Sequence, residues 1–148
     1  MKFSKKSRYG VAALIYLAVN SKNGHVALGS IAERNEISPQ YLEQVFASLR
    51  RAGIVKSVKG SQGGYLLKYP SSSITVASII QALEGTYYLD DEETKTEESA
   101  AGIAETIQED IVDRVNHGLD QILQNLTLAD LEESFQERQS GGQEMYYI

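Results

Sequence analysis

The segment at residues 38–53, SPQYLEQVFASLRRAG, constrains this 148-residue chain more than any other, because both of its ends are written into it. Ser38 supplies an N-cap hydroxyl, and Pro39 a first helical residue at a position that needs no amide proton. Arg50 and Arg51 put cations in the last turn, and Gly53 follows as the residue that takes the left-handed conformation ending a helix. Between these signals Leu42, Val45, Phe46 and Leu49 recur at i, i+3, i+4 and i+7, an apolar stripe that must face a core. Gln40, Glu43, Gln44 and Ala47 recur at the same spacing on another face. That second face is polar and small enough for close approach, although Gln and Glu also suit any solvated helix.

The neighbours of this helix limit the fold further. Upstream, ALGSIAERNEIS reads as a short helix with a break at residues 35–37, which makes a helix-turn-helix unit. Downstream, Ile54, Val55 and Val58, then Tyr65, Leu66, Leu67 and Tyr69, are strand-prone on either side of KGSQGGY. A β-hairpin directly after the second helix is the winged-helix arrangement. The glycines of KGSQGGY lead into a strand and not into a helix N-terminus, so the loop is no nucleotide-cradling P-loop. Lys56, Lys59 and Lys68 lie on or beside the hairpin with no acidic residue between positions 54 and 70. The N-terminal SKKSRYGVAALIYLAVN is a helix capped by Ser4. Lys5, Lys6 and Arg8 fall in its first turn, where each charge costs about 0.3–1 kcal/mol against the helix dipole unless an anion lies there. Thr75 caps a further helix, VASIIQALEG, that ends at Gly85.

The C-terminal half is of a different kind. TYYLDDEETKTEES reads as an acidic solvated loop over residues 86–99. From about residue 100 to 126 one helix is expected, with Ile103, Ile107, Ile111, Val115, Leu119, Ile122 and Leu126 stepping by four or three. Roughly 27 residues make a helix about 40 Å long, too long to bury its stripe on a three-helix head. The economical solution is a homodimer with these seven residues in the interface. TLADLEESFQER follows as a short capped helix, and GGQEMYYI as a tail with Tyr146, Tyr147 and Ile148 free to dock on a partner. The expected fold is therefore mainly α with a small β-hairpin wing: a winged helix-turn-helix at 1–85, an acidic loop at 86–99, and a dimerisation helix, short helix and tail at 100–148.

Charge separates the same halves. Residues 1–70 hold eleven Lys and Arg against three Asp and Glu, a net +8, whereas residues 71–148 hold three against seventeen, a net −14. A basic half carrying organised motifs points to a polyanion partner. Cysteine is absent, which excludes disulfides, thiol nucleophiles and thiolate metal sites. His25 and His117 are too few for a histidine metal site, so no metal and no cofactor are expected. No nucleophile–base arrangement is present, and the chain does not read as an enzyme. No apolar run approaches the roughly 20 residues of a membrane span, and MKFSKKSRYG is no signal peptide, so no membrane partner and a cytoplasmic location are expected. Gln40, Glu43 and Gln44 have the side chains that pair with adenine and cytosine edges in a major groove. A dimer would set two such helices on a palindromic double-stranded site.

The stretches SRYGVAALIYLA, SIAERNEISPQYLEQVFASLRRAGIVKSVKGSQGGYLL and SITVASIIQALEG closely resemble the Rrf2 family of bacterial winged-helix transcription regulators. The likeness runs continuously over residues 1–85 and more loosely through the long helix and LTLADLEE. It implies base reading by Gln40, Glu43 and Gln44. It further implies phosphate contacts near Tyr9, Tyr41, Arg50 and Arg51, joining Lys5, Lys6 and Arg8, and a wing in which Lys59 carries the charge and Gly60 approaches the minor groove. Cluster-binding members of the family carry three cysteines just before the long helix, where this chain has TKTEESAAGIAET. The cysteine-free pattern and the MYYI ending are similar to the branch that represses cysteine metabolism. That likeness implies control through a complex with cysteine synthase, whose active site captures C-termini ending in isoleucine. The alternative is a cluster-free regulator that senses redox or nitrosative stress or a small-molecule effector.

Overall fold

The computed structural model describes residues 3–91 and 101–146. The head is built from α1 (Lys5–Asn20), α2 (Leu28–Arg34) and α3 (Pro39–Arg51), then a hairpin of β1 (Val55–Val58) and β2 (Gly64–Leu67). A 3-10 turn, Ser71–Ser73, leads into α4 (Val76–Glu84). The C-terminal part is α5 (Ala101–Ile107), a π-helical segment Gln108–Asp113 and α6 (Arg114–Leu123), which run on from one another, followed by α7 (Leu128–Tyr146).

The caps form as their side chains dictate. The Oγ of Ser38 accepts the Tyr41 amide at 3.2 Å, and the Oγ1 of Thr75 accepts the Ser78 amide at 3.1 Å. Thr127 and Asp130 close a reciprocal box at the start of α7, the Thr127 amide meeting Asp130 at 3.0 Å and the Asp130 amide meeting Thr127 at 3.2 Å. Leu42, Val45, Phe46 and Leu49 of α3 are fully buried with Leu14 and Leu17 of α1, Ile31 of α2, Ile79 of α4 and Leu128 of α7. Each such side chain contributes on the order of 1.5–3 kcal/mol by leaving water. Gly10 lets α1 close on α4 and α3, because a Cβ there would lie 2.4 Å from Leu83 and 3.3 Å from Val45.

The wing is a two-stranded antiparallel sheet pairing Val55 with Leu67 and Val58 with Gly64. Val26 adds a third line of backbone pairing through mutual hydrogen bonds with Tyr65 at 3.0 and 2.9 Å. The glycine pair of KGSQGGY exists for this construction. A Cβ on Gly64 would sit 2.3 Å from the Val26 carbonyl oxygen, and one on Gly63 would sit 2.2 Å from that of Val58. Gly60 takes a φ of +121°, open to glycine alone without strain.

The C-terminal half departs from the sequence reading in four places. The long helix ends at Leu123, giving a rod of roughly 34 Å, and Leu126 lies in the link to α7. There the chain pairs with the start of α4, Val76 donating to Leu126 and Leu128 to Ile74, both at 2.8 Å. Leu119 and Leu126 are consequently packed against Val76, Ala77, Ile80 and Tyr87 of their own chain, and so leave the outward stripe. Ile103, Ile107, Ile111, Val115 and Ile122 remain exposed. Residues 86–91 form a loop, with Thr86, Tyr88, Asp90 and Asp91 exposed, but it is anchored: Tyr87 is buried and donates to Asp120, Tyr88 donates to the same carboxylate at 2.6 Å, and the Leu89 amide meets Asn116 at 2.8 Å. Two adjacent tyrosines offer apolar bodies to bury and hydroxyls to pair, which outweighs the acidic residues beside them. Finally, α7 is no short helix with a free tail. It runs through Gly141, which keeps a negative φ, as far as Tyr146. Residues 92–100, including most of the expected acidic loop, and Tyr147 and Ile148 lie outside the described residues.

Candidate nucleic-acid interface

The polar face of α3 is presented by the burial of the other. With Leu42, Val45, Phe46 and Leu49 locked in the core, Gln40, Glu43 and Gln44 are all exposed on one side of the helix. Lys59 and Gly60 are exposed at the wing tip, and Lys56 on its first strand. The wing tip is tied to the loop before α2 by His25, whose Nε2 lies 2.5 Å from the Gln62 carbonyl oxygen. Phe46 and Tyr65 meet at a tilt of 51° with centroids 4.6 Å apart, so the wing packs directly on α3.

The start of α1 joins the same surface. Lys5 and Arg8 are exposed, and Arg8 lies over the Phe3 ring at 5.0 Å. Lys6 is partly buried and reaches Ser48 on α3 at 3.4 Å. Tyr9 and Tyr41 meet edge-to-face at 5.7 Å, fixing the α1–α3 crossing with both rings packed on the core. Arg50 and Arg51 are exposed at the end of α3. All residues expected to read bases or hold phosphates in the first 60 positions thus belong to α1, α3 and the wing, which pack directly on one another.

The anion that sequence reasoning sought at the α1 N-terminus has an intramolecular member. The Glu84 carboxylate, at the end of α4, accepts from the Ser4 hydroxyl, from the Ser7 hydroxyl at 2.7 Å and from the Ser4 amide at 3.3 Å. The Ser4 and then the Ser7 hydrogen bond hold its pKa below the ordinary carboxylate range, Lys6 adding a smaller charge effect. Ser7 is fully buried and Glu84 is the acceptor of its hydroxyl. Glu84→Ala is therefore expected to destabilise the chain by about 1–3 kcal/mol, the cost of an orphaned buried donor. A depressed pKa contributes stability that is complete above the unfolded value of 4.5 and is lost as pH falls through the folded value. Denaturant unfolding of the two proteins should differ most at neutral pH and converge under acid. A gap that is independent of pH would assign the effect to packing.

A second carboxylate, Asp120 on α6, plays the same part in the C-terminal half. Hydrogen bonds from Tyr87 and then Tyr88 lower its pKa, while that of Tyr88 is pushed up to about 12 by its bond to Asp120. Burial raises the pKa of Tyr87. Neither Glu84 nor Asp120 was singled out from the sequence, since their partners lie 80 and 33 residues away.

Residues 3–134 match the family model described as Rrf2, iron-dependent transcriptional regulator. The chain belongs to the Rrf2 family. It is 37% identical over 135 residues to the HTH-type transcriptional regulator IscR of Yersinia enterocolitica, covering 88% of this chain and 79% of that one. Among solved structures it resembles CymR, the global cysteine regulator of B. subtilis, with a TM-score of 0.76 and 36% identity over 90% of this chain and 98% of that one. It also resembles the T. potens IscR, with a TM-score of 0.73 and 38% identity over 94% and 91%. This Rrf2 member is thus a DNA-binding winged-helix transcription regulator and not an enzyme. The iron in the family description finds no fitting donors among the described residues. The sequence has no cysteine, and no group of three His, Asp or Glu residues converges among the described residues. No described helix is long and apolar enough to cross a membrane.

Proposed function

We propose that this protein is a homodimeric repressor that reads a palindromic double-stranded operator with Gln40, Glu43 and Gln44 and governs cysteine or sulfur metabolism. The observation that carries the DNA part is the exposed polar face of α3, flanked by the cations of α1, the end of α3 and the wing. Lys5, Lys6, Arg8, Arg50, Arg51 and Lys59 would hold phosphates beside Tyr9 and Tyr41, with Gly60 at the minor groove. Gln44→Ala is expected to cost about 1–3 kcal/mol on the operator and nothing on random duplex, measured by titration of both. Equal losses on the two would remove Gln44 as a base reader.

The exposed apolar line Ile103, Ile107, Ile111, Val115 and Ile122 supports the homodimer. The metabolic assignment draws on likeness to a global cysteine regulator and on the cysteine-free sequence. In this reading Tyr146, Tyr147 and Ile148 enter the active site of cysteine synthase, which joins the repressor in a regulatory complex. Titrating purified cysteine synthase tests it. A complex that is lost on deleting Ile148 supports the reading, and no complex, or one indifferent to the deletion, overturns it.

A cleft of about 560 Å³ between α1, α2 and α7 favours a second reading, control by a small-molecule effector. Ile15, Tyr16, Val19 and Phe135 give it an apolar wall and Arg34 a charge at the end of α2, directly before the turn into α3. Operator release by a metabolite without cysteine synthase would select this reading over the first.

A further inference from the structure

Ser48 lies on the shielded side of α3, only 7% exposed, yet it touches two cations. Its hydroxyl donates to the Gln44 carbonyl at 3.4 Å, and its oxygen accepts from Lys6 Nζ at 3.4 Å and from an Arg51 Nη at 3.2 Å. One hydroxyl has one proton and two lone pairs, and here all three are used. Lys6 comes from the first turn of α1 and Arg51 from the last turn of α3. Both charges are therefore drawn onto a single oxygen, no further apart than the sum of those two bonds.

Gathering like charges is unfavourable unless an anion completes the group. Among the described residues neither cation has an ion-pair partner; the ion pair formed there is Lys22 with Glu132, at 3.5 Å. Glu84 is close enough for Lys6 to influence it, but its carboxylate is engaged by Ser4 and Ser7. After bonding Ser48, the ammonium keeps two N–H donors and the guanidinium four. That donor set suits the oxygens of one phosphate.

We propose that Ser48, Lys6 and Arg51 form one seat for a single backbone phosphodiester, with Ser48 as the positioning residue that makes the two cations act as a unit. The seat ties α1 to the carbonyl of Gln44, so the phosphate that fills it also fixes the register of the base-reading face. The inference rests on the DNA-binding reading and adds a residue that no sequence pattern marks.

The test is a double-mutant cycle on binding to a mixed-sequence duplex at low salt, followed by fluorescence anisotropy. Ser48→Ala is expected to weaken binding about 3- to 10-fold, and Ser48→Thr, which keeps the hydroxyl, to retain most of the affinity. Lys6→Ala and Arg51→Ala should each cost less in the Ser48→Ala background than in the wild type, whereas Lys59→Ala should cost the same in both. Thermal unfolding midpoints of the variants separate this from a general loss of structure, which would weaken every combination alike. Wild-type affinity in Ser48→Ala, or strictly additive losses for Lys6 and Arg51, overturns the seat while leaving DNA binding intact. Absence of duplex binding by the wild-type chain at low salt overturns the DNA-binding reading and the seat with it.

Discussion

Replacing Ile107 and Ile111 together by Asp is expected to leave a folded monomer and to lower operator affinity by about 100- to 10 000-fold. Ile103, Ile107, Ile111, Val115 and Ile122 are 66, 51, 54, 43 and 64% exposed, a continuous apolar line that a lone chain would present to water. None of the five belongs to either buried cluster of this chain, so charging two of them removes no contact of the folded head. The unfolding midpoint of the variant should therefore follow that of the wild-type monomer unit. What should disappear is the link between two recognition helices. With one α3 per molecule, the second half-site is no longer bound at the high local concentration that the dimer supplies. Light scattering on a sizing column reads the mass, and operator titration reads the affinity. A dimer that survives both substitutions would mean that another surface joins the chains.

The spacing of this line has a counterpart in the backbone. A four-residue step overshoots a 3.6-residue turn by about 40°, so Ile103, Ile107, Ile111 and Val115 would spiral around a regular α-helix. The π-helical segment Gln108–Asp113 falls in the middle of that run, and its wider turn takes up the excess. The repeated step was visible in the sequence, while its structural consequence was not drawn from it. The elements fixed by local chemistry were the most legible: the Ser38 and Thr75 caps, Pro39 at the start of α3, and the buried stripe opposite Gln40, Glu43 and Gln44. The wing hairpin was legible too, but the purpose of its glycines was not. Gly63 and Gly64 are set by carbonyls of Val58 and Val26, and only the folded chain brings Val26 there. The same limit hid Glu84 under α1, Ser48 between Lys6 and Arg51, and the Tyr87–Tyr88–Asp120 group. Composition read residues 86–91 as a loop but gave no sign that two of its tyrosines are held by Asp120 of α6. Propensity misled at Gly141, since a glycine costs only about 1 kcal/mol inside a helix and does not by itself end one.

Raising salt from 50 to 200 mM is expected to weaken operator binding by about 10³- to 10⁵-fold, the loss that corresponds to release of counterions from roughly 6–10 phosphates. The cations that set this number are distributed as the reading requires. Lys5, Lys6 and Arg8 open α1, Arg50 and Arg51 close α3, and Lys59 tips the wing, six per chain and twelve in a dimer. Not every one can meet a phosphate at once, so a count of 6–10 per dimer is the natural range. The segregation of charge adds direction to the same interaction. A −14 half repels the duplex that the +8 half attracts, so the chain approaches DNA head first and non-specific contacts by α5–α7 are suppressed. Random duplex should show nearly the same slope as the operator, because phosphate contacts carry no sequence information. Gln44→Ala should lower operator affinity without changing that slope, whereas Lys59→Ala should reduce the slope by about one in each occupied half-site and weaken both duplexes alike. A slope near zero, or one unchanged by Lys59→Ala, would place the DNA contact on some other face of the protein.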